Sequence, residues 1–194
     1  MNVLVIGSGA REHALARRLG AEGNRVSCAP GNAGTAEIAE NLPLNPDDAE
    51  TVLRACRDIR ADLVVIGPED PLAAGLADRL RGSGYPVFGP GARSARLESS
   101  KDFARAFAER HGVPRARTEV LRTEEELRDY VERTSGKRVL KKSGLAAGKG
   151  VLESSDPGEL LSFGRSVLAG DVLLAEEFLT GRELSIFAVC DGTR

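Results

Sequence analysis

The sequence predicts an α/β protein in two parts, an open parallel sheet with helices on both faces over residues 1–100 and an α+β unit over residues 101–194. Two observations carry that division. Up to about residue 90, short runs that are apolar at nearly every position alternate with amphipathic stretches, and such strands imply a parallel sheet covered on both faces. Beyond His111 the order becomes strand, helix, strand, glycine-rich loop, strand, helix, strand, strand, which suits a mainly antiparallel sheet.

Val3-Leu4-Val5-Ile6 is the first buried strand, followed by a glycine turn and a helix with Ala14, Leu15 and Leu19 on its apolar face. Arg25 to Ala29 is the second strand. Asn45-Pro46 opens a helix as a cap followed by proline does, with Val52, Leu53 and Cys56 facing inward. Leu63 to Ile66 is a further apolar strand; the turn Gly67-Pro68, a helix carrying Leu72, Leu76 and Leu80, and Tyr85 to Phe88 complete the series. Ligands of such a sheet bind at the carboxyl ends of its strands. A helical stretch from Ser94 to His111 holds Phe103 and Phe107 four residues apart, and the boundary between the parts falls within Gly91 to Ser100. Thr123 and Glu126 form a capping box for a helix bearing Leu127, Tyr130 and Val131. Asp156-Pro157 starts another with Leu160, Leu161, Val167 and Leu168, and Leu184 to Cys190 reads as the last strand.

Composition excludes several functions. The net charge is −2 with acids and bases interleaved, so there is no electrostatic footprint for nucleic acid. The cysteines Cys28, Cys56 and Cys190 lack metal-ligand spacing, and each lies among apolar residues as a small buried hydrophobe would. With His13 and His111 the only histidines, zinc is not expected. The start MNVLVIGSG runs directly into a strand and no apolar run reaches membrane-spanning length, so a cytoplasmic protein with no membrane partner is expected.

Residues Lys141 to Gly150, KKSGLAAGKG, carry the clearest chemistry. Lys141 ends a strand, and Gly144, Gly148, Lys149 and Gly150 follow in a loop flanked by strand-like residues. Glycine lets backbone N–H groups approach an anion, and lysine adds charge, a combination suited to polyphosphate. No Gly-Lys-Ser/Thr closes the loop, so it is not a Walker A motif, and its glycines lack the G-x-G-x-x-G spacing of kinases. Thirty residues on, Ala175 to Ser185 places Glu176 and Glu177 at the end of an apolar strand, then Phe178-Leu179, a turn, and Glu183. A segment crossing between lobes supplies an adenine ring with an apolar slot and backbone donor and acceptor.

The turn Gly7-Ser8-Gly9-Ala10-Arg11-Glu12 begins like a dinucleotide fingerprint, but Glu12 occupies the third glycine's place, where a carboxylate would crowd and repel a pyrophosphate. The second strand ends in Ala29-Pro30-Gly31-Asn32 with no acid for a ribose, so NAD is not expected. His13 reads as structural.

These motifs together resemble the phosphoribosylamine–glycine ligase (glycinamide ribonucleotide synthetase) family of the ATP-grasp superfamily. The resemblance rests on VLVIGSGAREH from Val3 to His13, PGNAGT from Pro30 to Thr35, GPEDPL from Gly67 to Leu72 and FGP from Phe88 to Pro90. LESSKDF from Leu97 to Phe103, HGVP from His111 to Pro114, the lysine–glycine loop and Glu176-Glu177-Phe178-Leu179 follow in the same order. It implies a Rossmann-like pre-ATP-grasp domain over residues 1–100 and a partial ATP-grasp domain over residues 101–194. It also implies ATP-dependent ligation of glycine to 5-phosphoribosylamine through glycyl phosphate, in purine biosynthesis, with ADP, phosphate and glycinamide ribonucleotide as products. Lys101 and Lys141 would contact the phosphates, the loop with Gly144, Gly148, Lys149 and Gly150 would cover them, Glu176, Glu177, Phe178 and Leu179 would hold adenine, and Glu183 the ribose. Gly9, Arg11, Asn32, Gly34, Thr35, Glu69 and Asp70 are the candidates for phosphoribosylamine or glycine. The family's Mg2+ or Mn2+ ligands are expected beyond Arg194, so no metal residue is assigned in this span and the chain alone is expected not to turn over. Ser143 and Lys142 stand where the family more often has Asp and Ala, and Ala169-Gly170-Asp171 is shorter than its usual loop. The alternatives are another ATP-grasp carboxylate–amine ligase or carboxylase, and a non-catalytic nucleotide- or substrate-binding module.

Overall fold

The computed structural model describes residues 1–144 and 150–190, in two compact units, Met1–Phe107 and Ala108–Arg194. In the first unit, β1 (Asn2–Gly7), β2 (Arg25–Pro30), β3 (Glu40–Asn41), β4 (Leu63–Ile66) and β5 (Val87–Phe88) form a parallel sheet in the order β3-β2-β1-β4-β5. Its helices are α1 (Ala10–Ala21), α2 (Ala49–Asp58), α3 (Glu69–Ala73), α4 (Leu76–Gly82), α5 (Ala92–Ser99) and α6 (Lys101–Arg110), the last running past the unit's boundary. The continuous apolar run of β1 has its explanation in two cores. Leu4 and Ile6 pack with Val52, Leu53 and Leu80 on one face, and Val3 and Val5 pack with Ala16, Val26 and Cys28 on the other. The strand order reverses between β1 and β4, which puts a crevice at their carboxyl ends.

Several elements differ from the sequence expectation. Asn45-Pro46 lies in a turn, and α2 begins three residues later because Asp48 caps it, accepting from the backbone N–H of Glu50 and Thr51 at 3.1 and 3.2 Å. The helix expected through Leu72, Leu76 and Leu80 is two, broken where Gly75 turns left-handed at φ 89°. The stretch from Ser94 to His111 is likewise divided, by extended backbone at Ser100. The inward face of α1 carries buried Glu12 and Ala16, while Ala14 and Leu15 are exposed. β3 is too short to leave a sequence period.

In the second unit, β6 (Thr118–Leu121), β7 (Arg138–Lys142), β8 (Val151–Ser154) and β9 (Leu173–Glu177) form an antiparallel sheet ordered β6-β9-β7-β8. Helices α7 (Glu124–Arg133) and α8 (Pro157–Leu168) cover one face through Leu127, Tyr130, Leu140, Leu160, Leu173 and Ala175. The Thr123–Glu126 capping box forms, with Glu126 N–H donating to Thr123 Oγ1 and Thr123 N–H donating back to the Glu126 carboxylate, each at 3.2 Å. Asp156 caps α8 at Glu159 N–H, 2.8 Å, with proline next. The strand expected over Leu184 to Cys190 is not formed among the described residues. Ile186 and Phe187 are each 91% exposed, and an extended segment with no strand beside it has no ladder to join.

Burial pushes the Cys56 thiol up to about 11 and raises that of Cys28, whereas Cys190 is exposed, against the expectation of three buried cysteines. The thiolate is the reactive form. Ellman's reagent at mildly alkaline pH should therefore modify one thiol rapidly in the native 194-residue polypeptide and the other two only on unfolding; three fast equivalents would contradict the two buried sites. Among the described residues no helix is long and apolar enough to cross a membrane.

Candidate functional site

Alternation along β7 and β9 sorts their side chains. Leu140, Leu173 and Ala175 face the helices, which leaves Lys141 and Glu176 on the opposite face. There Lys141 Nζ lies 2.6 Å from Glu176 Oε2, with the two side chains 32% and 16% exposed. This is a short, largely desolvated ion pair, and removing either partner leaves the other charge in a poorly hydrated place. Glu177 points the other way. Its carboxylate accepts from Arg117 N–H at 2.8 Å and from Arg117 Nε at 3.0 Å, bonds that hold its carboxyl below the usual carboxylate range, backbone donor first. Glu177 therefore anchors the segment after β9 to the chain entering β6. Lys137 Nζ sits 4.0 Å from the Phe178 ring centroid, Leu179 is 63% exposed, and Glu183 is exposed.

The base of the hairpin is also fixed. Lys142 N–H donates to Gly150 O at 2.8 Å and Ser143 N–H to Val172 O at 3.0 Å. Asp171 accepts from Gly144 N–H at 3.3 Å and pairs with Lys142 Nζ at 3.7 Å, so the lysine that departs from the family pattern has a partner. Asp171 carried no signal in the sequence, because it closes an ordinary-looking turn. Gly148 and Lys149 lie outside the described residues. In register, Arg138 pairs with Glu177 and Lys142 with Leu173. The hairpin and the segment after β9 thus leave opposite ends of adjacent strands, four residue steps or about 13 Å apart. An open groove of about 970 Å³, rimmed by Arg115, Arg117, Tyr130, Arg138, Glu177 and Phe178, includes neither Lys141 nor Glu176. It lacks the charged pair and so has the weaker claim to a polyphosphate.

In the first unit the turns after β1, β2 and β4 bring Gly9, Arg11, Asn32, Gly34, Thr35, Glu69 and Asp70 to the carboxyl ends of the sheet. Arg11 Nη2 lies 3.5 Å from Glu69 Oε2, both exposed to solvent, and Asp70 is exposed. Asn32 Nδ2 donates to Ser8 O at 2.8 Å, joining two of the turns. Thr35 is 0% exposed and its hydroxyl bonds within the turn, at 2.8 Å from Asn41 Oδ1, so it shapes the loop and offers a ligand no polar group. The His13 ring fills the space beside Gly34, where a Cβ would stand 2.5 Å from it. Glu12 is turned inward: its Oε2 accepts from Gly9 N–H at 2.7 Å. The amide that a dinucleotide's pyrophosphate would use is bonded to the chain's own carboxylate. Lys101 is the first residue of α6.

Comparisons with known proteins bear on both units. Residues 1–98 match the family described as phosphoribosylglycinamide synthetase, N domain, and residues 99–194 match its ATP-grasp (A) domain. A phosphoribosylamine–glycine ligase of Phenylobacterium zucineum is 46% identical over 200 residues, covering 99% of this chain and 47% of the relative. One from Streptomyces coelicolor is 45% identical over 194 residues, covering 99% and 46%. The crystal structure of the Thermotoga maritima phosphoribosylamine–glycine ligase superposes with a TM-score of 0.74 at 33% identity, over 94% of this chain and 45% of that one. An ADP complex of an N5-carboxyaminoimidazole ribonucleotide synthetase gives 0.75 at 18% identity, over 92% and 47%, a likeness of fold alone. The chain spans about half the length of the curated relatives it matches. With both units matched end to end, the chain belongs to the phosphoribosylglycinamide synthetase family.

Proposed function

We propose that these 194 residues supply the ATP-binding sheet and the amine-substrate face of a cytoplasmic phosphoribosylamine–glycine ligase, which joins glycine to 5-phosphoribosylamine in purine synthesis. The observation that carries the reading is the Lys141–Glu176 pair, set on the face of the second sheet opposite α7 and α8, between the hairpin and the segment after β9. A nucleotide held by both features would run along β7 and β9 for about 13 Å. The residues fit the nucleotide: Lys141 and Gly144 at the phosphate end, the backbone of Phe178 and Leu179 at the base end, and Glu176 holding Lys141 in place. ATP would supply the phosphoryl group that activates the glycine carboxylate. Such transfers depend on positioning and charge neutralisation, so no side-chain nucleophile is needed. Arg11, Asn32 and Glu69, on the rim of the first sheet, suit a phosphorylated amino sugar, with the guanidinium for its phosphate and the carboxylate for its amine or hydroxyls. Among the described residues there is no group of three or more His, Cys, Asp or Glu that could hold a metal ion.

The test is an assay of a protein of the relatives' full length carrying these residues. Glycinamide ribonucleotide should form with one ADP and one phosphate for each glycine consumed. ADP release that ignores glycine and follows another carboxylate would replace this reading with that of a sister ligase or carboxylase.

A further inference from the structure

The turns after β1 and β4 meet over a carboxylate that the proposed reaction does not use. Glu12 lies in the first turn of α1 yet is only 4% exposed. Its Oε2 accepts from Gly9 N–H at 2.7 Å, and its Oε1 is buried with no hydrogen-bond partner among the described residues. A Cβ on Gly67 would stand 2.0 Å from Oε1, and Cβ atoms on Gly7 and Gly9 would stand 2.6 and 2.8 Å from the same side chain. All three glycines are therefore needed to admit the carboxylate. Gly67 N–H also donates to Ile6 O at 3.0 Å, so the turn after β4 starts tied to the end of β1.

The site is the crevice where the strand order reverses, which in open α/β sheets is left for a ligand. A helix amino end there favours an anion through its unpaired N–H groups and dipole. In this chain the anion is internal. We infer that Glu12 is a positioning residue: its carboxylate takes the anion's place at the amino end of α1 and locks the Gly7–Gly9 turn against the Gly67–Asp70 turn. Arg11 and Glu69 are thereby set at the rim for the amine substrate. The inference rests on the reading of this face as the phosphoribosylamine side.

The test uses a ligase of the relatives' full length carrying these residues, with E12A and E12D variants. E12A should raise KM for phosphoribosylamine at least tenfold and leave KM for ATP within twofold of the wild-type value. Formate, small enough to refill the vacated space, should lower that raised KM at least threefold in E12A and leave the wild type unchanged. E12D keeps the charge but is one methylene short of both turns, and should show the same division between the two KM values; it decides the matter if E12A does not fold. A wild-type amine KM in the variants, or a fall in kcat alone that tracks loss of folded protein, would overturn the positioning role. If the wild type does not use phosphoribosylamine, the functional reading has failed. The anion's place is then decided by melting: formate should raise the Tm of E12A but not of wild type, and no rise would overturn it.

Discussion

Replacing Lys141 with methionine, in a ligase of the relatives' full length, is expected to lower kcat/KM for ATP by roughly a hundredfold to a thousandfold, the range for losing one preorganised oxyanion-hole donor. Lys141 is the cation on the face of β7 turned away from α7 and α8, and Glu176 holds it from the neighbouring strand at 2.6 Å. Methionine keeps the length of the stem but removes the charge, so Glu176, only 16% exposed, loses its partner. That loss should cost stability by about 1–3 kcal/mol. A K141M/E176Q double variant separates the two effects, because neutralising the stranded carboxylate should recover much of the stability and none of the turnover. ADP release against ATP concentration, read beside a thermal melt, checks both. Normal ATP kinetics with a lowered Tm would make the pair a structural strut.

A second large effect is expected at Gly67, where alanine should destabilise the first unit by about 2–4 kcal/mol, from overpacking together with the lost Glu12–Gly9 bond. The new methyl would overlap Glu12 Oε1, at 2.0 Å, and Glu12 has no room to retreat because Gly7 and Gly9 border it on the other side. For a unit of about 100 residues this corresponds to a fall in Tm of roughly 10–25 °C. Gly20, near the end of α1, has nothing within 4 Å of its would-be Cβ. G20A should therefore be neutral or stabilising by up to about 1 kcal/mol. Opposite signs at the two glycines are the expected result. A harmless G67A would mean that the carboxylate is free to leave.

The parallel sheet was legible because β1 and β4 are buried on both faces, and a strand so placed has no polar position to hide its period. The second unit's helices were legible for a local reason: Thr123 with Glu126, and Asp156 with Pro157, are end signals that act within a few residues. What escaped depends on distant partners. Nothing near Glu12 in the sequence announces that three glycines, one of them 55 residues away, leave it a pocket. Helical spacing instead favoured Ala14 and Leu15 as the inner face. The break at Gly75 was missed because apolar residues continue in phase across it, and the one at Ser100 because helix-forming residues resume directly after it. At the proposed nucleotide face, the lysine and the glutamate were each readable as candidates from the sequence. Their contact was not, because it depends on β7 and β9 being neighbours in a particular register. Arg117 and Asp171, which fix the two ends of that face, are ordinary surface residue types and carry no pattern at all.

The order β6-β9-β7-β8 has a further consequence for biogenesis. β9 lies between β6 and β7, yet a ribosome makes it after both of them and after β8 and α8. Until Glu177 has emerged, β6 has no neighbour to bond with and the strip between it and β7 stays open. The preceding unit needs nothing beyond its own residues to close its sheet. Vectorial synthesis thus favours a nascent chain whose leading portion is already folded while its trailing portion awaits a final, central strand.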